Sequence, residues 1–274
     1  MKLIKPSFEI LEQESGLEGI YKQIERVGRT CYKSEDKIAE GTAKPFVDRM
    51  IASKHLAMVE HGTIYLSIPI RLGTQPTIER YLDNCYSRVS KVCVDARHYY
   101  CVTTNLRVLI ENEWMSDLCY LCELTEYHVK RIAVKFITDQ GVLREFTRHR
   151  VFSFAVESTR YCNYSRNKFN NEITYIKPCW LEDSGEDVDA FLYSLKEAER
   201  RYFLLLNLGW KPQQARNVLP LATKCDMVMT GFVDDWDHFL SLRAKGTTGA
   251  PHPQAKELAE PLLTEFIKRN LISL

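Results

Sequence analysis

Ile20, Ile24 and Val27 recur at spacings of three and four, a pattern that predicts a core-facing helix over about Leu17 to Val27. A second helix is expected over about Lys44 to Ser53. The period then changes: the run HGTIYLSIPI, His61 to Ile70, is rich in β-branched and aromatic residues and carries Pro69 near its end, so it reads as a strand with His61 at its start. From about Arg71 to Lys130 no single period dominates. Within that stretch Tyr99 to Ile110 is strand-like, and a helix is expected from Ser116 towards Lys130. Arg131 to Thr138 reads as a strand again. Asp139-Gln140-Gly141 then turns the chain into an amphipathic helix holding Val142, Leu143, Phe146 and the RHR segment at 148–150.

The C-terminal half has the clearest helical signal. Val188, Phe191, Leu192, Leu195, Ala198 and Tyr202 mark a long helix that ends near Gly209, a residue suited to the position just past a helix. Lys211-Pro212 restarts a short helix that Pro220 stops. A strand near Cys225 to Phe232, a helix from about Asp234 to Leu242 and a final helix from about Gln254 to Lys268 complete the pattern. These elements predict an α+β class, a mixed sheet flanked by helices. The 274 residues are expected to form one domain.

Composition narrows the options. Lys and Arg total 37 against 36 Asp and Glu, and a formal charge of +1 supplies no long-range field for gathering polyanions. With 45% hydrophobic residues the chain has material for a sizeable core. The most apolar stretch, Tyr202 to Trp210, is too short to span a bilayer, and Pro6 and acidic residues interrupt the N-terminal segment before an export signal can develop. Nine cysteines form an odd set without the density of a disulfide scaffold, which points to a reducing, cytoplasmic setting with the thiols used for packing. Neither a membrane nor nucleic acid is expected as a partner.

Chemistry concentrates between Arg144 and Arg166, where REFTRHRVFSFAVESTRYCNYSR packs five arginines, one histidine and five aromatic rings. Arginine's planar fork donates two parallel hydrogen bonds to a phosphate, so the segment can serve two anionic groups: Arg144 and Arg148 share a helix face and Arg150 points elsewhere. Ser158 and Arg160 could clamp one phosphate. The plainer alternative is that these arginines pair with acids on neighbouring elements. Cys119 and Cys122 invite a zinc reading, but His128 is the one nearby candidate ligand, and helix packing explains them better. Lys245-Gly246-Thr247-Thr248-Gly249 lacks the order of a phosphate loop, and no GxGxxG occurs.

The order of these residues is the more specific signal. Arg148-His149-Arg150 followed through Ser158, Thr159, Arg160 and Tyr161 resembles the signature of the flavin-dependent thymidylate synthases. Glu60-His61-Gly62-Thr63, Ala215-Arg216-Asn217-Val218-Leu219-Pro220 and Phe239-Leu240-Ser241-Leu242-Arg243 resemble three further landmarks of that family, in the same order. The resemblance implies an enzyme that methylates dUMP to dTMP, with methylenetetrahydrofolate as carbon donor, NADPH as reductant and FAD as cofactor, in a homotetramer whose sites are shared between subunits. It implies that His61, Thr63, Arg148, His149, Arg150 and His238 meet the cofactor. It also implies that Glu145, Arg148, Ser158, Thr159, Arg160, Arg216 and Arg243 meet dUMP. Arg243 is the expected catalytic residue, a fixed cation favouring the N3-deprotonated uracil. No enzyme nucleophile and no metal are expected.

The chain departs from the family pattern at several places, and set against the shorter bacterial members of that family the stretch at about 71–130 looks like an insertion within the single domain. Ala155 and Val156 stand where polar side chains are common, Glu145 where a glutamine is common, Asp234 where a basic residue is common and His238 where an asparagine is common. Glu157 is not expected to stand in for the missing polar group at Val156. A reading from another class remains open: a non-catalytic nucleotide- or RNA-binding protein that grips phosphates with the same arginines and stacks bases on the same rings.

Overall fold

The computed structural model describes residues 1–71, 73–166 and 169–273, and its first helix, α1 (Gly16–Tyr32), buries two apolar stripes at once. Val27 and Cys31 face the principal sheet, whose order is β2 (Ser7–Leu11), β6 (Arg131–Asp139), β9 (Lys224–Phe232) and β7 (Ser153–Val156), all antiparallel. Ile20 and Ile24 face the other way, against α2 (Ala43–Ala52) and β3 (Thr63–Pro69).

Alternation along the sheet divides its two faces. Val134 and Phe136 of β6 and Met227 and Met229 of β9 point into the largest core, with α5 (Gln140–Phe146), α8 (Val233–Leu240) and α9 (Pro253–Lys268). Ala133, Ala155 and Val228 point to the opposite face, towards α1. Each such large buried side chain contributes about 1.5–3 kcal/mol.

The stretch 71–130 is structured around β3. It supplies α3 (Gln75–Leu82), the hairpin β4 (Arg88–Val94) and β5 (Arg97–Asn105), and α4 (Leu106–Glu111), and the strands form a second antiparallel sheet in the order β3-β5-β4. The strand-like run at Tyr99 to Ile110 is therefore two elements. Asn105 ends the strand and caps α4, its Oδ1 accepting from Val108 N at 3.2 Å. The helix expected from Ser116 is a short 3₁₀ helix, Met115–Tyr120. Leu121 bridges Leu66 instead, and Cys122 N donates to Tyr65 O at 3.0 Å, which pulls the chain out of helix and onto β3.

A fourth region is built on the N-terminal strand. β1 (Lys2–Ile4) runs parallel to β8 (Thr174–Ile176), and α6 (Glu186–Asn207) lays Leu195 and Tyr202 on Tyr175 and Tyr164. The α+β class with helices flanking sheets thus holds, with parallel and antiparallel pairings divided among three sheets. Among the described residues no helix is long and apolar enough to cross a membrane.

Candidate active site

The arginine-rich segment begins at a well-capped helix and leaves it early. Asp139 Oδ1 accepts from Gly141 N at 2.6 Å and Val142 N at 2.8 Å and so starts α5. The helix ends at Phe146, so Arg148-His149-Arg150 lie beyond it in a turn, not on the amphipathic helix expected from the sequence. Buried Phe146 and Phe152 anchor that turn on either side. The ring of Phe152 lies so close to β9 that a Cβ at position 231 would meet it at 2.5 Å, and glycine is therefore required there.

Arg243 comes to this turn from the far end of the chain. α8 runs into a π-helical turn, Ser241–Lys245, closed by Gly246 at φ 70°. That turn aims Arg243 at three acceptors. Its Nε donates to His149 Nε2 at 3.0 Å, Nη1 to Glu145 Oε2 at 2.9 Å and Nη2 to the Glu145 carbonyl at 2.7 Å. A guanidinium has five N–H groups, so two remain for another partner. Burial pushes the His149 imidazole down to about 4, aided foremost by the Arg243 cation. His149 is therefore neutral at pH 7, accepting on Nε2 and carrying its proton on Nδ1. Arg148 is 73% exposed, 3.7 Å from Glu145, and Arg150 and His238 are exposed beside it.

A second group stands at the other end of β7, a four-residue strand that spans about 13 Å. Arg216 Nη1 donates to Thr159 Oγ1 at 2.9 Å, and Arg160 Nε donates to Gln213 Oε1 at 3.1 Å. Ser158 is held from behind, its N–H donating to Cys31 O at 2.9 Å. Arg160 lies over the Tyr161 ring, 5.2 Å from its centroid, and Tyr161 packs on Tyr32 at 5.7 Å. These two tyrosines, Lys37, Arg49 and Arg166 border an open concavity of about 450 Å³. Within one chain, and among the described residues, no hydrogen bond or ion pair joins this group to the Arg243 group.

His61 and Thr63 belong to neither group. His61 is wholly buried, its Nδ1 within 2.7 Å of Thr230 Oγ1 and its Nε2 without a partner. Thr63 has both backbone groups taken by the Gln13 side chain, each at 2.9 Å, and borders a cleft of about 290 Å³ with Gln23, Tyr65, Cys122 and Arg131. That cleft is better enclosed than the ground around the arginines, yet Thr63 alone of the selected residues lines it.

Burial makes His61 a pH-sensitive support. It lowers the imidazole to about 3, helped by the nearby Arg131 cation. Between that value and the ordinary 6.5 the unfolded chain binds a proton that the native one does not, so stability falls as pH drops below 6.5. At about 1.4 kcal/mol per pH unit, His61 is expected to remove about 2 kcal/mol between pH 6.5 and pH 5. Urea titrations at both pH values check this. His61→Gln should flatten the difference, and an unchanged difference would assign it to other groups.

The structure adds charged residues that motif reading missed. Lys33, Lys135 and Lys224 surround Glu157 and Asp226 on the α1 side of the sheet, with Glu35 at the rim. Lys224, Asp226 and Val228 alternate along one face of β9, and that spacing was the available signal. The cysteines are only partly packing residues: Cys31, Cys101, Cys162 and Cys225 are buried, but Cys85, Cys93, Cys119 and Cys179 are exposed. Cys119 and Cys122 are not buried helix residues, since the first is exposed on the 3₁₀ turn and the second lies beyond it, 3.7 Å from His128 Nε2. Among the described residues no three His, Cys, Asp or Glu side chains are placed so that they could hold a metal ion.

Comparison with known proteins follows the same segment. The model of the thymidylate synthase complementing protein family matches residues 126–269. A flavin-dependent thymidylate synthase of Corynebacterium glutamicum is 30% identical over 120 residues, 38% of this chain and 46% of that protein. A probable flavin-dependent thymidylate synthase of Paramecium bursaria Chlorella virus 1 is 25% identical over 172 residues, 58% and 78% of the two chains. The Haloarcula marismortui enzyme of the same description is 29% identical over 125 residues, 38% and 51%. The chain thus spans about half the length of the Corynebacterium and Haloarcula relatives. Among solved structures, a UMP/dUMP methylase, PolB, from Streptomyces cacaoi bound with 5-Br dUMP is 17% identical, covering 98% of this chain and 93% of that one at a TM-score of 0.46.

Proposed function

The chain belongs to the thymidylate synthase complementing protein family, and from that premise we propose that it is an FAD-dependent thymidylate synthase that methylates dUMP to dTMP. One observation carries the reading. Arg243 and His149, picked out as separate landmarks 94 positions apart, meet at 3.0 Å.

The residues present suit each task. Two uncommitted N–H groups on Arg243 can receive the oxygen of a deprotonated uracil, and the cation favours the anion that makes the reacting carbon electron-rich. Glu145 orients Arg243 through two of its three bonds and tempers its charge. Ser158, Thr159, Arg160 and Arg216 hold the phosphate of dUMP, where a doubly charged group replaces the Thr159 hydroxyl and Gln213 amide as partners. Because β7 keeps the two groups apart in one chain, the uracil and phosphate ends are assigned to different subunits of a homotetramer.

A flavin fits the exposed side of the Arg243 group. Arg148 and Arg150 are solvent-facing guanidinium groups suited to a diphosphate, and neutral His149, with its Nδ1 proton, and His238 offer ring donors. FAD, when bound, supplies the reducing hydride. Methylenetetrahydrofolate supplies the carbon and NADPH the electrons. Thr63 is read as a cofactor contact at the rim of its cleft, with His61 as the buried support behind it. Residues 1–274 are read as one domain, with 71–130 inserted: the family match begins at residue 126, and the inserted stretch shares a core with α1, α2 and β3.

Purified protein is expected to turn yellow with FAD and to form dTMP from dUMP, methylenetetrahydrofolate and NADPH. Protein that stays colourless and forms no dTMP sinks the proposal. Tight dUMP binding without flavin uptake would leave a nucleotide-binding protein in its place.

A further inference from the structure

The α1-facing side of the principal sheet is apolar at Ala133, Ala155 and Val228, and ends in charge at the edge nearest Ser158. Glu157 continues β7 by one residue, its N–H donating to Asp226 O at 2.7 Å. Its side chain, 1% exposed, doubles back to the same strand: Oε2 accepts from Lys224 Nζ at 2.8 Å and from Asp226 N at 3.2 Å. Lys33, the left-handed cap of α1 at φ 49°, places its ammonium on Asp226 and 3.8 Å from Glu157. Lys135 reaches Asp226 at 3.2 Å. With Glu35, three lysines face three carboxylates and the cluster is neutral.

Immediately after Glu157 the chain leaves the sheet. Ser158 N crosses to Cys31 O on α1, two residues before Lys33, and Cys162 N returns to Ser158 O at 2.9 Å. The turn carrying Ser158, Thr159 and Arg160 therefore follows directly on a side chain that is itself held by Lys224 and the Asp226 amide of β9. Burial alone would raise the Asp226 carboxyl, yet Lys224 and Lys33 hold it down at about 2.

We propose that Glu157 is a positioning residue for the nucleotide phosphate: its buried carboxylate, gripped by Lys224 and the Asp226 amide, holds Ser158, Thr159 and Arg160 in the arrangement that receives a monophosphate. This rests on the assignment of those three residues to the phosphate of dUMP. The carboxylate touches no substrate and acts through the turn that follows it.

The test separates this role from general support of the fold. Affinities for dUMP and for deoxyuridine, which lacks the phosphate, are measured on FAD-loaded wild type and Glu157→Gln. Misplacing a binding group by about 1 Å can weaken its interaction by ~10- to 100-fold, so dUMP binding is expected to fall by that factor while deoxyuridine binding and the flavin spectrum stay unchanged. A variant that keeps the full preference for dUMP over deoxyuridine overturns the proposal. Wild type without any such preference overturns the functional reading, and this proposal with it. Glu157→Gln leaves one lysine uncompensated, so Glu157→Gln combined with Lys224→Met restores neutrality and is expected to lose the same preference. If neither variant folds, amide exchange of free wild type decides: Ser158 and Cys162 protected as well as β7 supports a turn preset by Glu157, whereas protection that arises only with dUMP overturns it.

Discussion

Arg243→Ala is expected to lower dTMP formation by about 10²–10³-fold, the range for removing one preorganised donor from a site of developing negative charge. The side chain makes three hydrogen bonds and leaves two N–H groups uncommitted, so its loss removes the cation proposed to meet the uracil. Its partners lose little else. Arg243 is 14% and Glu145 34% exposed, a partly buried pair, and Glu145 keeps Arg148 within reach, so stability should fall by about 1–3 kcal/mol without loss of the fold. Arg243→Lys retains the charge but not the fork, and should fall between wild type and alanine. Steady-state dTMP production with a thermal melt of each variant checks both halves. Near-normal turnover by Arg243→Ala removes Arg243 from the reaction, and a collapsed melt removes the claim that its role is local.

The second large effect is on folding. Trp236 is fully buried in the centre of an aromatic group, with ring centroids 4.7 Å from Phe152, 5.4 Å from Phe239 and 5.5 Å from Phe266. Trp236→Ala is expected to destabilise the protein by about 3–5 kcal/mol. Against a total of about 5–15 kcal/mol, that is enough to leave part of the population unfolded at ordinary temperature. Two terms add. The cavity opens among rings that cannot all collapse into it, and the Ile132 carbonyl loses the indole N–H that donates to it at 3.1 Å. Trp236→Phe retains most of the ring and loses the bond, and should cost about 1–3 kcal/mol. Because Trp236 also seats α8 beneath the π-turn that carries Arg243, activity should fall with folded fraction. A urea midpoint shifted at constant slope confirms the prediction, and a shift below about 1 kcal/mol for the alanine variant refutes it.

Much of the architecture could be read from local pattern. The helices at Lys44–Ser53 and Gln254–Lys268 and the strand at Arg131–Thr138 form within a residue or so of their expected limits, and the helix expected at Leu17–Val27 forms and continues to Tyr32. Motif order placed Arg148, His149 and Arg243 in one chemical context before any contact was known, because residue type and spacing along a chain survive in the text of a sequence. Local signals failed where a partner from elsewhere overrode them. Ser116 to Lys130 looks helical until Leu121 and Cys122 are seen on β3, and Tyr99 to Ile110 looks like one strand until Asn105 is seen as a cap.

Outside the motifs, arrangements that depend on distance in space rather than along the chain stayed hidden. Lys33 and Asp226 are 193 positions apart, and Arg29 Nε with Glu25 Oε1 is the sort of buried pair, at 2.7 Å and four residues apart, that a helical spacing does announce. His61 reads as a strand-start histidine in either setting; only the packing of Thr230 and Arg131 around it makes it buried and neutral. The types of side chain and their order carry the chemistry this protein can perform. Where those side chains meet, which are desolvated and which keep free hydrogen-bonding capacity follow from long-range closure of the sheets, and electrostatic strength depends on that closure because charge interactions grow as water is excluded.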